Sequence, residues 1–170
     1  MATAYKTPGV YIEEIPKFPP SIAAVETAIP AFIGYTEKAT RNGESLTNKP
    51  TRIESIAEYE LLFGGAPSQN VTLFLDADNQ FVKAAADDKL YLYDSLRMFY
   101  ANGGGNCYIL SVGAYGSAAS LEDGLTILEQ EDEPTIILCP DAVSLPSVLY
   151  EFQKKALQQC NKLKDRVTLC

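Results

Sequence analysis

Cys107-Tyr-Ile-Leu-Ser-Val112 and Thr135-Ile-Ile-Leu-Cys139 are two short apolar runs, and the residues between and after them decide the fold. Both are rich in β-branched residues and too short for helices, which marks them as buried strands. Between them, Ser120 stands where a helix N-cap belongs. Leu121, Leu125 and Leu128 then recur at helical spacing, predicting a helix from Leu121 to about Gln130. After Pro140-Asp141, the stretch from Leu145 to about Lys164 carries one apolar stripe of Leu149, Phe152, Ala156, Cys160 and Leu163. Val167 to Cys170 begins a third strand. Strand, helix, strand, helix, strand is a pair of crossovers, each expected to be right-handed. Short apolar strands joined by helices predict an α/β fold, a mostly parallel sheet with helices on both faces. A buried parallel strand normally runs further than residue 170, so the core is expected to be incomplete at the C-terminal end.

Upstream, Tyr91 to Asn102 is predicted helical, with Leu92, Leu96, Phe99 and Tyr100 on one face. The run Asn102-Gly103-Gly104-Gly105 ends that helix in a tight turn before the Cys107 strand. Val71–Leu75 and Phe81–Ala85 flank Asp76-Ala-Asp-Asn-Gln80, which predicts an added β-hairpin. Ser55 to Phe63 reads as a helix. Ser55 and Glu58 have capping-box spacing, Ile56, Tyr59, Leu62 and Phe63 share a stripe, and Gly64-Gly65 stops it. Asn42-Gly43 marks a turn in the polar stretch Thr40–Pro50, and Ala28 to Tyr35 is a buried strand with Pro30 near its start.

The leading residues differ from the rest. Val10 to Ile15 reads Val-Tyr-Ile-Glu-Glu-Ile, a sticky extended stretch between Pro8-Gly9 and the prolines Pro16, Pro19 and Pro20. Proline fixes φ and donates no backbone hydrogen bond, so the flanks join neither a helix nor a central strand. Residues 1–20 are therefore expected to form an extended N-terminal arm, and residues 21–170 the α/β core. The arm's unpaired N–H and C=O groups need a partner. A neighbouring subunit, the chain's own sheet edge, or water at a frayed terminus all satisfy that need.

Composition narrows the function. A domain of roughly 150 residues buries about 68–70% of its unfolded surface, so a stable core needs no metal or disulfide. The net charge of −8 disfavours binding to nucleic acid. No apolar run reaches the ~18–20 residues of a bilayer span, and Met-Ala-Thr-Ala-Tyr-Lys has no secretory pattern, so synthesis and folding in the cytoplasm are expected. The chain has four cysteines and no histidine. Cys107, Cys139, Cys160 and Cys170 lack Cys-x-x-Cys spacing and are expected to be small buried hydrophobes rather than metal ligands.

Catalytic patterns fail one by one. Gly103 to Gly105 follows a helix and precedes a strand, the reverse of a phosphate loop, and has no Gly-Lys-Ser/Thr ending. Val112-Gly-Ala-Tyr-Gly-Ser117 follows a strand but lacks Gly-x-Gly-x-x-Gly spacing. No serine sits in Gly-x-Ser-x-Gly, and no histidine is present to activate one. The acids of Asp76–Gln80 suggest calcium, but Phe81 stands where the loop needs glycine and Asp87 where it needs glutamate. Asp141 lies just past a strand's carboxyl end, where α/β folds place ligands, yet it has no second carboxylate beside it. Capping or hydrogen bonding in the Pro140–Ser144 turn is expected of it. Glu129 to Glu133 reads as a solvated loop. No enzyme, cofactor or metal is expected.

Several ordered blocks resemble the contractile tail sheath proteins of phage tails and contractile injection systems. Thr7-Pro-Gly-Val-Tyr-Ile-Glu-Glu-Ile15 is similar to that family's N-terminus, and Ile29-Pro-Ala-Phe-Ile-Gly-Tyr-Thr36 to its first core strand. Ile53 to Gly65 resembles the following helix. Leu96-Arg-Met-Phe-Tyr-Ala-Asn-Gly-Gly-Gly-Asn-Cys-Tyr108, leading into Ser111–Tyr115, is the most specific block, and Pro140-Asp-Ala142 and Cys160–Val167 follow in order. Family members are longer, with a C-terminal region that completes the core and adds a second arm.

The resemblance implies a structural subunit that polymerises as helical rings around an inner tube and contracts to drive the tube through a target envelope. Its partners would be other sheath subunits, the inner tube protein, and baseplate and tail-terminator proteins. Neither nucleic acid nor direct membrane insertion is implied. The subunit would end in a virion tail or released particle. It would move as a rigid body, with Val10, Tyr11, Ile12 and Glu13 as the intersubunit strand and Pro8, Gly9 and Pro16 as hinges. Two alternatives stand beside it: a non-polymerising cap or baseplate-proximal paralogue, and a small-molecule-binding α/β domain.

Overall fold

The computed structural model describes residues 28–86 and 90–169. In chain order the elements are β1 (Pro30–Thr36), β2 (Thr40–Arg41), β3 (Glu44–Ser45), β4 (Thr51–Ile53) and α1 (Ile56–Phe63). Then come β5 (Val71–Leu75), β6 (Phe81–Ala86), α2 (Leu92–Ala101), β7 (Cys107–Ala114) and α3 (Leu121–Leu128). The chain continues through β8 (Ile136–Leu138), a 3-10 turn (Pro140–Ser144), α4 (Pro146–Leu163) and β9 (Val167–Thr168). The main sheet has the order β4-β7-β1-β8-β9, parallel throughout except for antiparallel β4. The expected α/β architecture with an added hairpin is therefore present.

Topology explains the two helical layers. From β1 to β7 the chain steps one way across the sheet, and from β7 through β8 to β9 it steps the other way. Right-handed crossovers then require the two sets of helices to lie on opposite faces. Side-chain alternation in β1 matches this arrangement. Ala31, Ile33 and Tyr35 pack with Leu121, Leu125, Phe152 and Ala156 of α3 and α4. Phe32 points the other way, into Tyr59, Phe63, Leu92 and Leu96 of α1 and α2. All seven residues of β1 are buried, as a central parallel strand demands.

Local chemistry sets the element ends. Ser55 Oγ caps α1 by accepting from Glu58 N at 3.2 Å. The Glu58 carboxylate returns a bond to Glu54 N rather than to Ser55 N, a capping box displaced by one residue. Gly64 follows at φ 87. Ser120 Oγ accepts from Glu122 N at the start of α3. That helix stops at Leu128, short of the expected Gln130, where the buried Arg166 guanidinium takes the carbonyls of Leu128 and Glu131 at 2.9 and 2.7 Å. Of the cysteines expected to be buried, Cys107 is buried, while Cys139 and Cys160 are half-buried. Cys170 lies outside the described residues.

Candidate assembly surfaces

In an open α/β sheet, a ligand crevice forms where neighbouring strands send their connections to opposite faces. Here that place is the carboxyl end of β1, between β7 and β8, and the chain itself fills it. β8 ends at Leu138, opposite Phe32, so beyond that point the N–H groups of β1 that face away from β7 have no strand beside them. Asp141 takes over that position. Its Oδ2 accepts from Tyr35 N at 2.8 Å, and its Oδ1 accepts from Tyr91 N and Leu92 N at 2.7 and 2.9 Å.

The expectation that Asp141 bonds within its own turn is therefore corrected. It ties β1 and the N-terminus of α2 to the 3-10 turn, because the strand's premature end leaves donors that the turn cannot supply. Burial pushes its carboxyl above the ordinary value, against the opposing pull of the three N–H donors. Gly34 makes the approach possible, since a Cβ there would stand 2.5 Å from Asp141 Oδ2. Nearby hydroxyls are also taken up within the chain. Thr36 Oγ1 and Ser111 Oγ share a bond of 2.6 Å, Tyr35 OH donates to the Ala119 carbonyl and Tyr115 OH to the Gly65 carbonyl.

The Asn102–Gly105 run links α2 to β7. Asn102 Nδ2 donates to the Met98 carbonyl at 2.7 Å, Gly103 sits at φ 83, and a Cβ on Gly104 would meet the Phe99 ring at 2.5 Å. The Asp76–Gln80 turn is closed by Asp76 Oδ1, which accepts from Asp78 N and Gln80 N, with Asn79 at φ 58. It is an Asx-type turn. No cluster suited to a metal occurs among the described residues, and none of their helices is long and apolar enough to cross a membrane. The acidic run is less free than expected, because Glu129 pairs with Lys162, and Glu133 with Arg52 and Tyr108.

Two apolar surfaces stay open among the described residues. Among the described residues the β5–β6 hairpin pairs only with itself, and Val71, Leu73, Leu75 and Phe81 are all exposed. On the main sheet, α1 and α2 cover β1 and its neighbours on the β7 side but stop short of β9. Leu138 is half-buried there, and Val167 and Met98 are 58% and 67% exposed. The predicted strand Val10–Glu13 and the hinges Pro8, Gly9 and Pro16 lie outside the described residues, as do the domain boundary near residue 20 and Asp87. Sequence reasoning placed the hairpin, but it could not see that the hairpin would stand uncovered.

No family model and no curated protein matches the chain. Solved structures do match. A chain of the anti-feeding prophage (AFP) baseplate in contracted state is similar with TM-score 0.55 and 22% identity, over 96% of this chain and 39% of that one. The AFP helical sheath in contracted state gives TM-score 0.49 and 24% identity, over 92% of this chain and 38% of that one. The baseplate likeness establishes the fold, which this chain shares with a chain of the AFP baseplate. This chain spans 39% of that component's length.

Proposed function

We propose that this chain is a structural subunit of a contractile tail sheath, which polymerises as helical rings around an inner tube and contracts to drive the tube through a target envelope. The observation that carries this is the likeness to a contractile-system chain over 96% of the present one, joined to the ordered sequence blocks from Thr7 to Val167. A crevice filled by Asp141 and backbone donors supports a mechanical rather than a catalytic role. The packed body suits rigid motion, and the leading arm, turning on Pro8, Gly9 and Pro16, keeps neighbours tethered while the bodies rotate. Val10, Tyr11, Ile12 and Glu13 add a strand to an adjacent subunit. The driving energy is interfacial and stored at assembly, so the subunit consumes no nucleotide. Its partners are other copies, the inner tube, the baseplate and the tail terminator, and it is made in the cytoplasm before entering the particle.

One substitution tests the arm. Ile12→Pro removes an N–H from the added strand. Negative-stain microscopy with the inner tube protein should show tubes or rings for the unmodified protein and none for the variant, with the far-ultraviolet spectrum unchanged. Intact tubes from the variant would refute the arm's role. A cap or baseplate-proximal paralogue is the second reading, favoured by the baseplate source of the stronger structural likeness. Locating the chain in assembled particles separates the two, since a sheath subunit repeats along the tail and a paralogue occupies one level.

A further inference from the structure

We infer that the β5–β6 hairpin is an aimed appendage, and that the Glu37 carboxylate is the latch that sets its direction relative to the sheet. The inference is independent of the assembly assigned above. Among the described residues, β5 and β6 make their substantial contacts only with each other. All five residues of β5 are exposed, as are Phe81 and Val82 of β6. Side-chain packing therefore does little to fix the hairpin against the body. Its own shape is nevertheless tied. Asp76 closes the turn, and the Lys83 ammonium sits 4.7 Å from the centre of the Phe74 ring. Such a unit turns as one piece, and its direction is set where the chain leaves and rejoins the core.

Those two points are held differently. The chain rejoins the core at Tyr91 and Leu92, whose N–H groups donate to Asp141 Oδ1. Asp141 and Leu92 are buried, so this post is shielded from water. The chain leaves the core at Gly64 and Gly65, just after α1. Gly65 N donates to Glu37 Oε2 at 2.7 Å, and the Gly65 carbonyl accepts from Tyr115 OH at 2.7 Å. Glu37 directly follows β1 and Tyr115 directly follows β7, so both are mounted on paired strands of the main sheet. Bonds of 3.0 Å from Lys38 N to the Phe63 carbonyl and from Tyr115 N to the Thr36 carbonyl hold the mounting in place. A Cβ on Gly64 would collide with the Glu37 carboxylate, so glycine is what lets that carboxylate lie along the turn.

Burial decides which point lets go. A bond open to solvent exchanges its partner for water, whereas breaking a buried one leaves its donors unpaired. Glu37 is exposed and Asp141 is not. The exit from α1 therefore opens first, the post at Asp141 stays shut, and the hairpin swings while the core remains folded. Because the Glu37 bond is charge-assisted and Tyr115 holds the same residue from its other side, the latched direction is the one the free chain keeps.

Residual dipolar couplings of the full-length, unassembled chain test it. In the unmodified protein, amides of β5 and β6 should fit the same alignment as those of β1 and β7. In Glu37→Ala the hairpin couplings should shrink several-fold, while the β1 and β7 couplings and the cross-strand contacts of the hairpin persist. Glu37→Gln keeps an acceptor and should restore most of the loss. Tyr115→Phe removes the other bond to Gly65 and should give a smaller loss of its own. Hairpin couplings already averaged in the unmodified protein overturn the inference, as do couplings that Glu37→Ala leaves unchanged. Loss of the cross-strand contacts in Glu37→Ala also overturns it, because the hairpin then melts rather than turns. So does a collapse of the β1 and β7 couplings, since Glu37 would then support the core and not the hairpin.

Discussion

Asp141 shows how one side chain can hold three segments in place. It is fully buried, and its three donors come from β1 and from the start of α2. Asp141→Asn keeps the shape but turns one oxygen into a donor, which must face Tyr35 N–H or the α2 pair. The expected loss is about 1–3 kcal/mol, the usual cost of leaving a buried donor unpaired. The pH dependence has a definite sign. Burial raises this carboxyl, so the folded protein keeps its proton to higher pH than the unfolded chain. The group's contribution to stability therefore falls as pH rises from the ordinary carboxylate value through the raised one. Asparagine has no such slope, so the gap between wild type and variant should narrow as pH rises. Urea unfolding of both proteins from acid to neutral pH measures it, and a widening gap would mean that the N–H bonds outweigh burial.

At the scale of elements, the turn between α2 and β7 has a packing reason for one glycine and a backbone reason for another. Gly103 lies in the left-handed region, which favours glycine. Gly104 has an ordinary φ but lies against the Phe99 ring, which in turn meets Phe32 edge-on at 5.7 Å. Gly104→Ala should therefore push Phe99 off Phe32 and cost about 1–3 kcal/mol, the range for overpacking a core. A lowered urea midpoint with unchanged slope checks it, and an unchanged midpoint would show that the ring can yield.

The glycine run, the two helical caps and the crossovers were legible because each depends on residues close in sequence. The antiparallel β4, the insertion of β1 between β7 and β8, the reach of Asp141 and the Arg166 cap on α3 were not. Each joins residues far apart in the chain, as with the 106 positions between Tyr35 and Asp141, and local spacing holds no trace of such pairings. The uncovered hairpin was hidden for a related reason. Its alternation reads the same whether or not anything packs on it.

For the whole molecule, the uneven cover of the sheet predicts uneven stability. β1 and β7 lie between both helical layers and carry the buried residues Ile33, Ile109 and Leu110. β9 is two residues long, sits at the edge, and is covered on one face by α4. Amide exchange in the unassembled chain should therefore be slowest in β1 and β7, opening only with global unfolding, and much faster at Val167 and Leu169. Their bonds to the Thr135 and Ile137 carbonyls are the ones a local opening breaks first. Equal protection of all these amides would overturn that order, because β9 would then open only together with β1 and β7.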